Sequence, residues 1–289
     1  MAILTNPNLI ETPAPGQRRY GLFTAATVTD DLSGRDLAAP VTWPVLDCGA
    51  SMLAYDANCA TNPAKTFAEG LDYGDAEPYW GYVTEQCGTL GRTASEVAAA
   101  VRRKLDASEQ TFVESVLWDG GTLGITPSLT ASGATVVTPL AAGAGAAISA
   151  LEAAFYAVNG YVGTIHVNMA AEGALAYAQM LSRTGGAGAL TTPIGSRVSL
   201  GAGYGVTGPA DVAPDAGFVW AFMTSPVTVR RSVVIQPDVW QTADRNVNQF
   251  RALAERVYEH YWVCPAVFAV QVPVAAPAVA TAPAVPAGA

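Results

Sequence analysis

Catalysis in proteins leans on histidine, cysteine, lysine and clustered carboxylates, and this sequence supplies few of them in useful patterns. His166 and His260 are its two histidines, which leaves a serine or cysteine triad, or a multi-histidine metal site, little to draw on. His166 lies inside the apolar run Gly163-Thr164-Ile165-His166-Val167-Asn168 and reads as a hydrogen-bonded core histidine. An enzyme would need a polar pocket around His166, Tyr204 and Asp211, and a small hydrolase is what such a pocket would support. With Lys65 and Lys104 as the two lysines, Schiff-base chemistry has few candidates. No G-x-S-x-G turn marks a nucleophile, and no G-x-x-x-x-G-K-[ST] loop marks a phosphate cradle. Gly201-Ala202-Gly203-Tyr204-Gly205 is glycine-rich, but the third glycine of a dinucleotide fingerprint is missing at the right spacing and no helix clearly opens there.

Three further groups have a chemical and a plain reading. Asp72, Asp75 and Glu77 could bind a cation through oxygens, although a turn-rich acidic loop is ordinarily solvated. Cys48, Cys59, Cys87 and Cys264 show no C-x-x-C spacing and read as buried thiols. Arg230 and Arg231, beside Val227 and Val233, fit either ion pairs to a neighbouring copy or a solvated strand edge. No catalytic residue, cofactor-binding residue or metal ligand emerges, and the chain is expected not to be an enzyme.

The bulk composition agrees with a structural role. Over 289 residues, 51% are hydrophobic, ample material for a core. Only 13% are charged, against a usual value of about a quarter, so much of a monomer's surface must be covered, most simply by neighbouring subunits. A net charge of −9 argues against a groove that grips nucleic-acid phosphates and leaves passive enclosure of DNA open. Residues 1–10 lack the basic and apolar regions of a secretory signal, so cytoplasmic synthesis is expected. Residues 261–289 carry no charge, but Pro265, Pro273, Pro277, Pro283 and Pro286 break any helix, so a membrane anchor is not expected there.

Any functional side chain must be positioned by the following elements. Residues 1–40, with Pro7, Pro13, Pro15 and Gly16, show no sustained periodicity and read as an extended arm. Residues 41–91 are rich in aromatics and turn formers and read as a projecting loop or hairpin. Thr93-Ala94-Ser95-Glu96 is a capping box. Val97, Val101, Leu105, Phe112, Val113, Val116 and Leu117 then recur at helical spacing until Asp119-Gly120-Gly121, which predicts a helix over 93–119. Ile148, Leu151, Phe155 and Val158 mark a second helix ended by Gly160. Asn168 is placed to cap a third, through Leu175, Met180 and Leu181, that ends at Gly185-Gly186. Strands are expected over 197–200, 218–223 and 227–235. Asn246–Tyr258 fits helical spacing and strand alternation alike, with helix slightly favoured by periodicity. Residues 273–289 are Ala, Val and Pro repeated and read as an extended tail. The pattern is mixed α+β.

In this order, the pieces resemble the major capsid proteins of tailed bacteriophages, the Hong Kong 97-like fold. The stretches that carry the resemblance are the helix over 93–119, "GTIHVN" with its following helix, the turn and strand of "LTTPIGSRVSLGAGYG", "FVWAFMTSPVTVRRSVVI", and the closing "NVNQFRALAERVYEHYWVCPAVFAVQV". The resemblance covers most of residues 40–272. It implies an N-terminal arm over 1–40, an extended hairpin over 41–91, and a peripheral domain over 92–145 built on a spine helix at 93–119. It further implies a mainly axial domain over 146–235, strands returning to the peripheral domain over 236–272, and a tail over 273–289. It also makes Asn246–Tyr258 mostly strand.

The function so implied is a major head protein whose copies form the hexamers and pentamers of an icosahedral shell. Such a shell encloses double-stranded DNA without sequence-specific binding, is assembled in the host cytoplasm and belongs to the virion. Portal, scaffolding or decoration proteins would be further partners; no membrane and no cofactor is implied. A fused scaffolding domain is expected to be absent, and the tail has no family counterpart. Some relatives cross-link a Lys to an Asn with help from a Glu; Lys65 and Glu69 lie in the expected hairpin, but no partner Asn can be placed. Thirteen Arg against two Lys are associated with a GC-rich genome such as that of an actinobacterial phage. An encapsulin-type nanocompartment shell would resemble the same fold, and a pentamer-only vertex protein or a tail component is a further phage alternative.

Overall fold

The computed structural model describes residues 19–45, 48–49, 72–88, 92–183, 188–244, 246 and 248–275. In chain order the helices and strands begin with α1 (Leu22–Ala25), β1 (Thr27–Leu32), β2 (Val41–Pro44), β3 (Tyr73–Ala76), β4 (Tyr79–Gly88) and α2 (Ala94–Asp119). They continue through β5 (Thr135–Val136), α3 (Ala144–Asn159), β6 (Thr164–Asn168), α4 (Glu172–Tyr177), β7 (Ser182–Arg183) and β8 (Leu190–Thr191). β9 (Arg197–Gly201), β10 (Phe218–Thr224), β11 (Val227–Ser232), β12 (Gln249–Trp262) and β13 (Phe268–Pro273) complete the set. They form a seven-stranded sheet ordered β5-β13-β10-β6-β9-β8-β7, a four-stranded sheet ordered β1-β11-β12-β4, and the hairpin pair β2-β3.

The chain divides into two compact units. Within the described residues, one contains 82–109 with 235–255, and the other contains 20–81, 110–234 and the chain from 256 onward. In the smaller unit, Gln236 donates through Nε2 to the Ala98 carbonyl at 2.9 Å, and Ile235 and Glu255 form an antiparallel bridge. Lys104 pairs with Glu85. In the larger unit, the residues of β10 alternate between two cores. Val219, Ala221 and Met223 join Ile148, Leu151 and Phe155 of α3, while Trp220 and Phe222 join Val113, Leu117 and Trp118 of α2. Both faces of this sheet are therefore buried, which is why β10 reads as a continuous apolar run.

The end signals of α2 work as the sequence predicts. The Thr93 backbone N–H donates to Glu96 Oε2 at 2.7 Å and the Glu96 N–H donates to Thr93 Oγ1 at 3.3 Å, a reciprocal capping box. That bond, made first to the Thr93 backbone, holds the Glu96 carboxyl below its usual value. At the other end Gly120 adopts φ 81°, the left-handed conformation glycine tolerates, and donates to the Val116 carbonyl at 2.8 Å.

One expectation holds and three need adjustment. Residues 246–258 fit both periods, periodicity leaning to helix and the resemblance implying strand. The structure makes Gln249–Trp262 one strand, and Phe250, Ala252 and Ala254 are buried in alternation. The third helix is shorter than expected. Asn168 does cap, accepting from the Ala170 N–H at 2.9 Å, but it caps a 3-10 turn, and α4 ends at Tyr177. The strand expected over 227–235 ends at Ser232. Of the expected arm, residues 1–18 lie outside the described residues. From Tyr20 onward the chain packs on its own body: Leu22 is buried, and β1 pairs in parallel with β11, Thr27 opposite Thr228.

Candidate functional site

His166 sits mid-strand in β6, opposite Phe222 of β10 and Ser199 of β9. Its neighbours Ile165 and Val167 point into the α3 core, so alternation sends the imidazole to the other face of the sheet. There Nδ1 lies 3.0 Å from the Tyr204 hydroxyl and Nε2 lies 3.0 Å from Thr224 Oγ1. Tyr204 in turn lies 2.7 Å from Ser199 Oγ. Proton order follows from the far end of the chain. Thr224 Oγ1 donates to the Ser225 carbonyl at 2.8 Å, so it accepts from His166, and Nε2 carries the proton. Nδ1 then accepts from Tyr204, which accepts from Ser199. The imidazole is fully buried, and burial first, then the charge of His260, pushes it down to about 3.

This satisfied, sealed chain of hydrogen bonds holds a neutral ring in place and offers no acid or base to a substrate. His166 and Tyr204 are brought together as the pocket reading required. Asp211 is exposed in a separate turn over Pro209–Asp211 and is not one of the groups bonded to His166. His260 repeats the arrangement. Nε2 donates to the Pro127 carbonyl at 2.8 Å and Nδ1 accepts from Tyr79 at 3.0 Å. Burial pushes this ring down to about 4, against the opposing effect of the Pro127 bond.

The glycine-rich loop after β9 packs against α2. The Gly203 N–H donates to Glu114 Oε2 at 2.9 Å, and the Leu22 N–H donates to Glu114 Oε1 at 3.1 Å. A Cβ on Gly203 would lie 2.0 Å from the Thr111 carbonyl oxygen, so this glycine serves close backbone approach. Glu114 is thus a buried carboxylate satisfied by two segments distant in sequence, and periodicity had placed it simply on a helix.

Arg230 and Arg231 pair within their own chain, and β11 lies between β1 and β12, so they are not on a solvated edge. Arg230 reaches Asp31 at 3.1 Å, Asp36 at 3.0 Å and Glu259 at 3.0 Å, and Arg231 reaches Asp30 at 2.8 Å. The register places Arg230 between Thr29 on β1 and Glu259 on β12, so three strands, with the 3-10 turn Gly34–Leu37 that carries Asp36, deliver the cluster. Burial would lower the Arg230 guanidinium, but its bonds to Asp31 and Asp36 outweigh that and hold it further up. Burial raises the Glu259 carboxyl, with Arg230 opposing.

The buried-thiol reading fails for two of the four cysteines. Cys48 and Cys264 form a disulfide across a separation of 216 residues. Cys87 is a free, half-buried cysteine; Cys59 lies outside the described residues. No spacing rule could have paired Cys48 with Cys264, because only the fold brings them together. Lys65 and Glu69 also lie outside the described residues. Among the described residues no group of three or more His, Cys, Asp or Glu is placed to hold a metal ion, and no helix is long and apolar enough to cross a membrane.

No family model matches this sequence, and no curated protein matches it. Solved structures do. The chain is similar to the capsid of an empty GTA particle computed with C5 symmetry, at 12% identity and a TM-score of 0.56, over 93% of this chain and 96% of that one. The chain shares that fold. It is likewise similar to a structure from Microbacterium phage Oxtober96, at 11% identity and a TM-score of 0.55, over 94% and 96%. A structure from Gordonia phage Cozz aligns at 15% identity and a TM-score of 0.52, over 93% and 91%.

Proposed function

We propose that this chain is a phage major capsid protein, the repeating subunit of an icosahedral shell around double-stranded DNA. The observation that carries this reading is the fold likeness to the GTA capsid chain over nearly the whole of both chains. The Hong Kong 97-like assignment then gives the parts their roles. Helix α2 is the spine of a peripheral domain (92–145), residues 146–235 are mainly axial, and 236–272 return to the peripheral domain. Residues 1–40 and 41–91 are the arm and hairpin of that assignment, of which Leu22, β1 and Trp43 pack on the chain's own body.

The molecule's chemistry supports a structural role. Both histidines are buried and hydrogen-bonded. Large apolar side chains stand exposed around α3 and α4, among them Tyr156, Val158, Val162 and Tyr177, an exposure that packing between copies would relieve. Many weak symmetric contacts then sum to a stable shell without catalysis. With a net charge of −9, the subunit encloses DNA without gripping it.

Electron microscopy of the purified chain, with mass from light scattering, tests this reading. Hollow shells, or free hexamers and pentamers, are expected. A monomer or small dimer that forms no shell even with its scaffolding partners supplied would refute it.

A further inference from the structure

The Cys48–Cys264 bridge closes where the hairpin pair β2-β3 meets the end of β12. That pair has four residue pairs, Val41 opposite Ala76 through Pro44 opposite Tyr73, and a two-stranded ribbon of this size is marginal alone. Non-covalent contacts already seat it. Trp43 stacks on Tyr261 with ring centroids 4.5 Å apart, and Trp43 Nε1 donates to the Val263 carbonyl at 3.4 Å. Cys264 is fixed on the other side, its N–H donating to Ser225 Oγ at 3.0 Å and its sulfur accepting from the Tyr161 hydroxyl at 2.8 Å. Strand β2 and Cys264 are therefore both held by groups other than the bridge.

Access is asymmetric. Cys264 is buried, whereas Cys48 is half-buried, and a cleft of about 190 Å³ lined by Trp43, Val45, Trp262, Val263 and Pro265 opens beside the Cys264 segment. We infer that this pair is a redox lock, open as dithiol in a reducing cell and closed by thiol–disulfide exchange once the particle meets an oxidising medium; this rests on the capsid reading above. In the first step the accessible Cys48 thiolate attacks a small disulfide such as oxidised glutathione, forming a mixed disulfide and releasing one thiolate. The Cys264 thiolate then attacks the Cys48 sulfur and expels the second. Two protein thiols are oxidised by two electrons, and the small disulfide is reduced to two thiols. The Tyr161 hydroxyl aids the second step, because a hydrogen bond to sulfur favours the thiolate.

Closing the lock ties Cys48, just beyond β2, to the turn between β12 and β13, so that the four-pair β2-β3 ribbon is held to the body by a covalent bond as well as by the Trp43 contacts.

The test uses intact particles. Cells are lysed directly into acid and an alkylating reagent, and peptide mass spectrometry scores Cys48 and Cys264 as alkylated or bridged. Purified particles are then held with oxidised glutathione or with dithiothreitol, and their thermal dissociation is followed by light scattering. Alkylated cysteines at lysis, a bridge after oxidation, and a dissociation temperature higher by on the order of 5 °C in the bridged state are expected. Cys48→Ser particles should lose the redox response, and the untreated-against-reduced wild type gives the same comparison should that variant fail to fold. Cysteines already bridged at lysis, cysteines that never bridge, or bridging without a change in dissociation would each overturn the lock. Failure to form particles in either redox state would refute the capsid reading instead, and the bridge would still be scored on the free chain.

Discussion

Acidification from pH 7 to pH 5 should weaken the folded chain through its two buried histidines. Folded His166 titrates at about 3 and His260 at about 4, against an ordinary value of about 6.5 in an unfolded chain. Both folded values are depressed, so the unfolded state takes up protons first as pH falls. The stability these rings contribute is complete above about pH 6.5 and is lost through the window down to pH 3–4. At pH 5 each ring lies about 1.5 units below its unfolded value and is still neutral when folded. Each therefore costs about 2 kcal/mol, and the two together about 4 kcal/mol.

Urea denaturation of the dissociated chain at half-unit steps from pH 5 to pH 7 measures this loss. Between pH 5 and 6 the wild type should lose about 2 kcal/mol, a little under two protons per unit, and His166→Gln or His260→Gln should lose about half of that. Glutamine suits the His166 site because its carbonyl can accept from Tyr204 while its amide donates to Thr224. A wild-type slope below one proton, or a slope unchanged in both variants, would refute the argument that burial keeps these rings neutral.

Other perturbations give sharper local readouts. Gly203→Ala drives a methyl into the Thr111 carbonyl and should cost about 1–3 kcal/mol, read as a lower melting temperature with the fold retained by circular dichroism. Arg230→Ala strands the fully buried Glu259 carboxylate and should cost about 3–5 kcal/mol; adding Glu259→Gln should recover part of it in a double-mutant cycle. Phe155→Ala empties a site packed edge-on by Tyr161 and Phe268 and should cost about 3–5 kcal/mol in the same denaturation assay.

What could be read in advance was set by neighbours along the chain. The capping box at Thr93 and Glu96, the stop at Gly120 and the Gly160 end of α3 all involve groups within about four residues of one another, and all stand where expected. The strand of β10 stands where expected, and His166 was legible as a core residue because its flanking residues are apolar.

Where two local patterns were equally satisfied, pairing had to choose. Residues 246–258 carry both periods, and the lie of Gln249–Trp262 between β11 and β4 made strand the outcome, since an extended segment there completes the hydrogen bonds of two neighbours. Arg230 looked like an exposed charge because its partners Asp31 and Asp36 stand 199 and 194 residues away. Glu114 lies on the helix that the sequence predicts, but the donors that satisfy it come from residues 22 and 203. Local chemistry thus specified the caps, the turns and which side chains seek the interior. Tertiary structure alone decided which cysteines meet, which charges pair and which carboxylates can be buried, because those contacts form only when distant segments have already been brought within a few ångströms.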